Sequence, residues 1–299
     1  MLLPPDTLEV DAAQEALTQR FLLPALPAIQ AALLALRIDT DRALAGKVPS
    51  YKGKAYPYGC CHEITLDVMG RIAAFAAQRR SPGQLALDDF FRHGGGGKLV
   101  WGVLRDSYFQ NAIHLGSLYA DVSNDTVDVS KSPVEILPMD QSGLVLIQDA
   151  AHFVRVAERY WDARAYANTL LPSLAPLFPV VLVDAEGRIA MQSDTGYMKR
   201  LLATDGFARS EHWLRTGPRL PDALAQAFRN ACPPDLQVAN PQVGVEAAVA
   251  ACEALRDVVV DAAWVQGMSQ AFGRLPTVMI SRGPAANARP ATSVQQDGV

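Results

Sequence analysis

Between residues 99 and 129 the spacing of apolar side chains changes from a helical period to a period of two. That change restricts the fold more than any other feature of the chain. Upstream, residues 64–78 place Ile64, Val68, Ile72 and Phe75 on one face of a predicted helix, with Met69 and Ala76 beside them. Downstream, 99–104 and 108–115 read as strands. Gly116-Ser117, with glycine first, suits a type II′ turn into a partner strand over 118–122. Asn124-Asp125 breaks that strand, and 134–137 adds a short one.

The flanking regions fill in an α+β protein. Residues 11–20 and 28–37 predict helices, the first capped by Asp11. Residues 39–58 read as a loop, punctuated by Gly46, Pro49, Gly53 and Pro57 and made basic by Lys47, Lys52 and Lys54. Gly94 to Gly97 predicts a flexible connection or a close approach of backbone, and no Gly-Lys-Ser/Thr makes it a phosphate loop. In the second half, a helix over 149–161 is followed by an irregular, proline-marked stretch over 168–179. A hairpin over 180–192 and helices over 196–202, 207–214, 220–231, 245–256 and 259–272 come after it. The expected organisation is an N-terminal part, 1–140, a mostly helical C-terminal part, 141–282, packed with it into one unit, and a disordered tail over 283–299.

Composition narrows the function classes. Apolar residues are 49% and charged residues 19% of the chain, and the net charge is −4 without a basic run, which points away from nucleic acid. Four cysteines in 299 residues make no disulfide framework, and the N-terminus lacks a basic signal-peptide start, so a reducing cytoplasm is expected. Residues 21–36 are nearly all apolar but short for a bilayer span and interrupted by Pro24 and Pro27. They predict a buried helix rather than a membrane segment.

The chemistry concentrates in Tyr58-Gly59-Cys60-Cys61, immediately before the helix. A thiol at a helix N-terminus feels the positive end of the macrodipole, which favours the thiolate. A helix bearing a cysteine, then a hairpin with a His and an Asp, resembles the order in the transglutaminase-like and papain-like cysteine enzymes, over about residues 57–128. Tyr58-Gly59-Cys60-Cys61 is similar to the Tyr-Gly-x-Cys of that superfamily. The resemblance implies Cys61 as nucleophile, His114 as base and Asp121 as its orienting group. It also implies Gln110 or Asn111 as oxyanion donor, Cys60 and Asp125 beside the substrate, and no cofactor. The reaction would be attack on an amide, thioester or ester carbonyl of a small-molecule, peptide or acyl substrate, as hydrolase or acyltransferase. Pairing across Gly116-Ser117 puts His114 opposite Tyr119, so the position where the family carries its His holds Gln110. Three alternatives remain open: His114 in another register, a different His, or a degenerate, non-catalytic site that serves binding or an accessory role. A separate possibility, a non-haem metal-dependent oxygenase, rests on Asp149 and His152, which share a helix face three residues apart. The oligomeric state is not written in the sequence.

Overall fold

A computed structural model describes residues 7–48, 52–74, 81–192, 195–258 and 260–279, and the fold is α+β with two antiparallel sheets. The expected tail over 283–299 and the end of the helix beyond Ala74 lie outside the described residues.

Four helices open the chain: α1 (Ala12–Leu17), α2 (Leu26–Leu44), α3 (Cys61–Ala73) and α4 (Pro82–Arg92). Asp11 caps α1, and a Ser81/Gln84 capping box starts α4. α2 runs to Leu44, so the loop expected from residue 39 starts later than the sequence suggested. Arg37 is the reason: it looked like a polar terminus, but it is 1% exposed and satisfied by ion pairs, so the helix passes through it. The helical run over Ala12–Leu44 is long and apolar enough to cross a membrane by length and composition. Ile29, Leu33 and Leu36 of α2 pack with Ile64 and Val68 of α3 and Leu87 of α4 in one core cluster. α2 and α4 approach so closely that a Cβ on Gly83 would lie 2.1 Å from the Ala28 carbonyl oxygen. Gly83→Ala should therefore force the helices apart and cost about 1–3 kcal/mol, read as a lower urea midpoint.

The first sheet has the order β4-β3-β2-β1-β5, with β1 Gly97–Leu104, β2 Tyr108–Leu115, β3 Leu118–Asp121, β4 Glu135–Pro138 and β5 Leu144–Val145. His114 pairs with Tyr119, and Gly116 turns the hairpin at φ +61°, both as the sequence suggested. The four-glycine run is a close approach: a Cβ on Gly95 would fall 2.4 Å from the Phe90 ring. Helix α5 (Ala150–Tyr160) follows, capped by Asp149. The second sheet, β6-β7-β8-β9, comprises β6 Ala163–Ala167, β7 Val180–Asp184, β8 Arg188–Met191 and β9 Val278–Met279. Helices α6 (Gly196–Thr204), α7 (Ala208–Thr216), α8 (Asp222–Ala231), α9 (Gly244–Glu253) and α10 (Ala262–Phe272) lie between β8 and β9 in the chain.

Both faces of the first sheet are covered, and how they are covered creates the site. Alternate residues of β2 point to opposite sides. On one side Ile113 and Leu115 join the core of α2, α3 and α4, while Phe109 joins Phe153 of α5 and Val181 of β7. Asn111 lies between them, opposite Trp101 of β1, at the seam where two cores share one sheet face. The other side, with Val100, Ala112 and Tyr119, is covered by Met139, Leu144 and the approaching Leu8 and Val10.

Candidate functional site: a thiol at the seam of two cores

Cys61 is the first residue of α3, preceded by Cys60 in the N-cap position. Cys60 points inward, 3% exposed, with its thiol 3.5 Å from the Tyr58 carbonyl, and serves the core. Gly59, at φ +75°, makes the tight turn into the helix, and its N–H donates to the Thr126 carbonyl at 2.9 Å. Cys61 is partly exposed and faces β2, where the Asn111 side-chain amide donates to its sulfur at 3.4 Å.

The residues singled out in the sequence divide between the two sides of the sheet. Cys61 and Asn111 come together. His114 and Gln110 do not join them, because each is an odd number of residues from Asn111 along the strand and so projects to the other side. His114 is 6% exposed beside Tyr119, and burial, then the Lys98 charge, hold its pKa below the ordinary value. Gln110 donates to the Asp121 carboxylate at 2.7 Å. Asp121 is fully buried and also accepts from Tyr119 Oη at 2.9 Å, Ser123 N at 2.8 Å and Ser123 Oγ at 3.1 Å. Its hydrogen bonds lead toward the site through Ser123, whose Oγ bonds the Asn111 carbonyl at 3.3 Å and stands 3.2 Å from Thr65 Oγ1 of α3. Asp121 thus positions the strand that carries Asn111. Asp125 is not beside the thiol but in a two-pronged ion pair with Arg37, at 2.7 and 3.0 Å.

Two forces act on the Cys61 thiol. Burial raises its pKa, and the Asn111 hydrogen bond, the next largest influence, lowers it; the Asp121 and Glu63 carboxylates raise it further. The net direction is upward. The helix N-terminus opposes this with about 0.3–1 kcal/mol, less than one pKa unit. Burial also lifts Cys232 to about 11 and Cys252 to about 12.

A cavity of about 580 Å³ opens on Cys61 and Asn111. Trp101, Phe109, Tyr160 and Trp161 give it aromatic surface, and Lys52, Asp184 and Arg188 also line it. The aromatic surface is a connected cluster: Phe109 stacks on Trp101 at 5.3 Å and on Phe153 at 5.4 Å, and its centroid lies 4.8 Å from that of Trp161. A second cavity of about 550 Å³ adjoins it, sharing Trp101, Asn111 and Trp161. It is lined further by His62, Leu99, Val100, Phe153, Tyr197 and Met198. The adjacent His62 is the histidine nearest to Cys61 in sequence, but neighbours along a helix do not face each other. Among the described residues the sulfur has no imidazole partner.

Asp149 and His152 are joined in another way than the metal possibility required. The Asp149 carboxylate caps α5 by accepting the His152 backbone N–H at 2.7 Å, and His152 Nδ1 accepts from Gln148 N at 3.4 Å. Among the described residues, no three His, Cys, Asp or Glu side chains are grouped to hold a metal ion.

The class defined by fold and site is an α+β protein with a helix-start thiol set against a carboxamide in an aromatic cleft. Comparison with protein-family models, with curated proteins and with solved structures returned no match.

Proposed function

We propose that this chain binds a small molecule in the aromatic cleft, on a frame like that of a cysteine enzyme, with Cys61 as a contact residue. The observation that carries this is the placement of Asn111 where a cysteine enzyme needs its base. A carboxamide cannot take up the thiol proton, whereas it is well suited to orient a bound group by hydrogen bonds. The raised pKa of the thiol acts in the same direction, keeping it protonated near neutral pH. The cavity supports binding: it is concave, mostly apolar, and carries a few convergent polar groups, as small-molecule sites do.

The thiol's pH behaviour tests this directly. Iodoacetamide labelling followed by mass spectrometry should find Cys61 modified before the more deeply buried Cys232 and Cys252. Its rate should climb through and beyond the ordinary thiol pKa of about 8.5, with no plateau near neutrality. Incubation with p-nitrophenyl acetate should release no stoichiometric burst of nitrophenol at pH 7. A burst accompanied by acetylated Cys61, or a labelling inflection below pH 7, would overturn the non-catalytic assignment.

A cysteine enzyme acting on an amide, thioester or ester carbonyl is the second reading. It is favoured by the position of Cys61 at the start of α3 and by the Asn111 amide, a donor of the kind that stabilises an oxyanion. The burst experiment separates the two.

A further inference from the structure

We infer that the ligand is a neutral, flat aromatic lactam: a fused ring whose N–H and C=O, side by side on one edge, meet the free part of the Asn111 carboxamide. This rests on the binding function proposed above and adds the class of ligand. One face of the first sheet builds the seat. Trp101 and Asn111 are cross-strand partners, and Leu99 and Phe109, two residues from them along β1 and β2, point to the same side. Between them these four side chains line the two cavities, which share Trp101, Asn111 and Trp161. At about 580 and about 550 Å³, each cavity is in the size range of small-molecule sites. A ring that lies against Trp101 has the Asn111 carboxamide beside it.

The charges at the cavity are balanced within the protein. Arg188 is paired with Asp184, 2.5 Å from its Nε, and with Glu186 at 3.6 Å. Lys52 Nζ donates to the Trp161 carbonyl at 2.7 Å, and both cations have further partners. An anion would have to compete with these partners, and a cation would find the Asp184 carboxylate taken. The lining therefore suits an uncharged ligand. Other polar side chains are engaged as well. Gln192 Oε1 accepts from Val180 N at 3.1 Å, and its Nε2 donates to the Leu177 carbonyl at 3.3 Å. Tyr197 Oη donates to the Ile147 carbonyl at 2.6 Å, and Thr195 Oγ1 accepts the Met198 N–H at 3.3 Å. His62 is exposed to solvent.

Asn111 differs from them. One N–H of its side-chain amide is given to the Cys61 sulfur at 3.4 Å, and its Oδ1 and second N–H have no protein partner among the described residues. The unmatched groups are one acceptor and one donor on a planar amide, and their complement is the N–H and C=O of another amide. An open-chain secondary amide is trans and turns its N–H away from its C=O, whereas a ring holds both on one edge. Further polar edges on the ligand would be left unpaired against apolar and aromatic side chains such as Leu99, Phe153 and Met198.

The test is isothermal titration of the full chain with 2-quinolone and three relatives. Coumarin keeps the shape and the C=O but has a ring oxygen in place of the N–H. 2-Quinolone-4-carboxylate adds a charge, and hypoxanthine is a lactam with a second polar edge. 2-Quinolone should bind most tightly, at least about tenfold more tightly than coumarin. Asn111→Leu, of similar volume, should bring those two within about twofold of each other. Circular dichroism melts establish that this variant is folded, and the comparison on the unaltered chain stands without it. Coumarin binding as well as 2-quinolone overturns the inference, and so does a preference that survives in Asn111→Leu. Tighter binding of the carboxylate or of hypoxanthine overturns it too, as does no heat from any probe at about 1 mM. The binding function fails on a different result, the nitrophenol burst with acetylated Cys61, so the two failures are told apart.

Discussion

Arg37→Met should cost about 3–5 kcal/mol of stability, because it leaves one member of a buried ion pair without its partner. Arg37 is among the largest fully buried side chains of the chain. Burial opposes its charge, but the bonds to Asp125 and Asp41 outweigh it and hold the guanidinium above its ordinary pKa. Its Nη1 also donates to the Val122 carbonyl at 2.9 Å, and Asp41 accepts from Tyr56 Oη at 2.6 Å. These bonds join α2 to the loop after β3 and to the segment that leads into Cys61. Methionine matches only the aliphatic stem of arginine and carries no charge, so the Asp125 carboxylate is left in a dry place. The double change Arg37→Met with Asp125→Leu should recover much of the loss, since removing both charges also removes the desolvation penalty. Urea unfolding of the single and double variants gives the coupling directly. A single variant within about 1 kcal/mol of the parent would mean the pair behaves like a surface salt bridge.

The same residue affects the site through geometry. Thr126, next to Asp125, accepts the Gly59 N–H that fixes the turn into α3. Thr126 Oγ1 donates to the Ser123 carbonyl at 2.7 Å, and Ser123 in turn bonds the Asn111 backbone. Arg37 therefore holds one loop from which both Cys61 and Asn111 take their position.

Much of the fold was legible in the sequence because most elements announce themselves through one apolar face. Both hairpins, the capped helix α5 and the later helices fall close to their expected places. The exceptions have physical causes. Strand β6, Ala163-Arg164-Ala165-Tyr166-Ala167, was missed because alanine has little strand preference, although its burial alternates. The continuation of α2 was hidden by Arg37, since an ion-paired arginine in the interior reads as a polar terminus. The site was legible in part. Cys61 at the start of a helix follows from the period of the apolar residues after it. Its partner does not, because β2 is buried on both faces, and alternation cannot show which face meets the helix. Counting from Asp121 led to Gln110; the packing of Ile113 and Leu115 against α2, α3 and α4 selects Asn111. Side chains one or three residues apart project to opposite sides of a strand, so with His114 paired to Tyr119 as expected, the imidazole lies on the side away from Cys61 while Asn111 meets the thiol.

Asp121→Ala should be comparably damaging, at about 3–5 kcal/mol, for a reason that carries its own pH signature. The carboxylate accepts from Gln110, Tyr119 and the Ser123 N–H and hydroxyl in a fully buried setting, and alanine leaves those donors without their acceptor. Burial, the largest influence, raises the Asp121 pKa, while the bonds from Gln110, Ser123 and Tyr119 lower it; the net direction is upward. An acid whose folded-state pKa exceeds its unfolded value binds its proton more tightly in the folded chain. Its contribution to stability is therefore complete below the unfolded pKa, about 3.9 for a free aspartate, and declines as pH rises through the folded one. The destabilisation by Asp121→Ala should accordingly be larger at pH 4 than at pH 8, measured by urea unfolding of parent and variant at both values. The opposite order would mean that the donors hold the carboxylate below its free pKa. The variant should also change the thiol. With the Asp121 charge gone, one of the influences that raise the Cys61 pKa is removed, so alkylation of Cys61 should begin at lower pH. A merely loosened fold would speed labelling of Cys60 and Cys61 alike at every pH, whereas the loss of a charge shifts the inflection for Cys61.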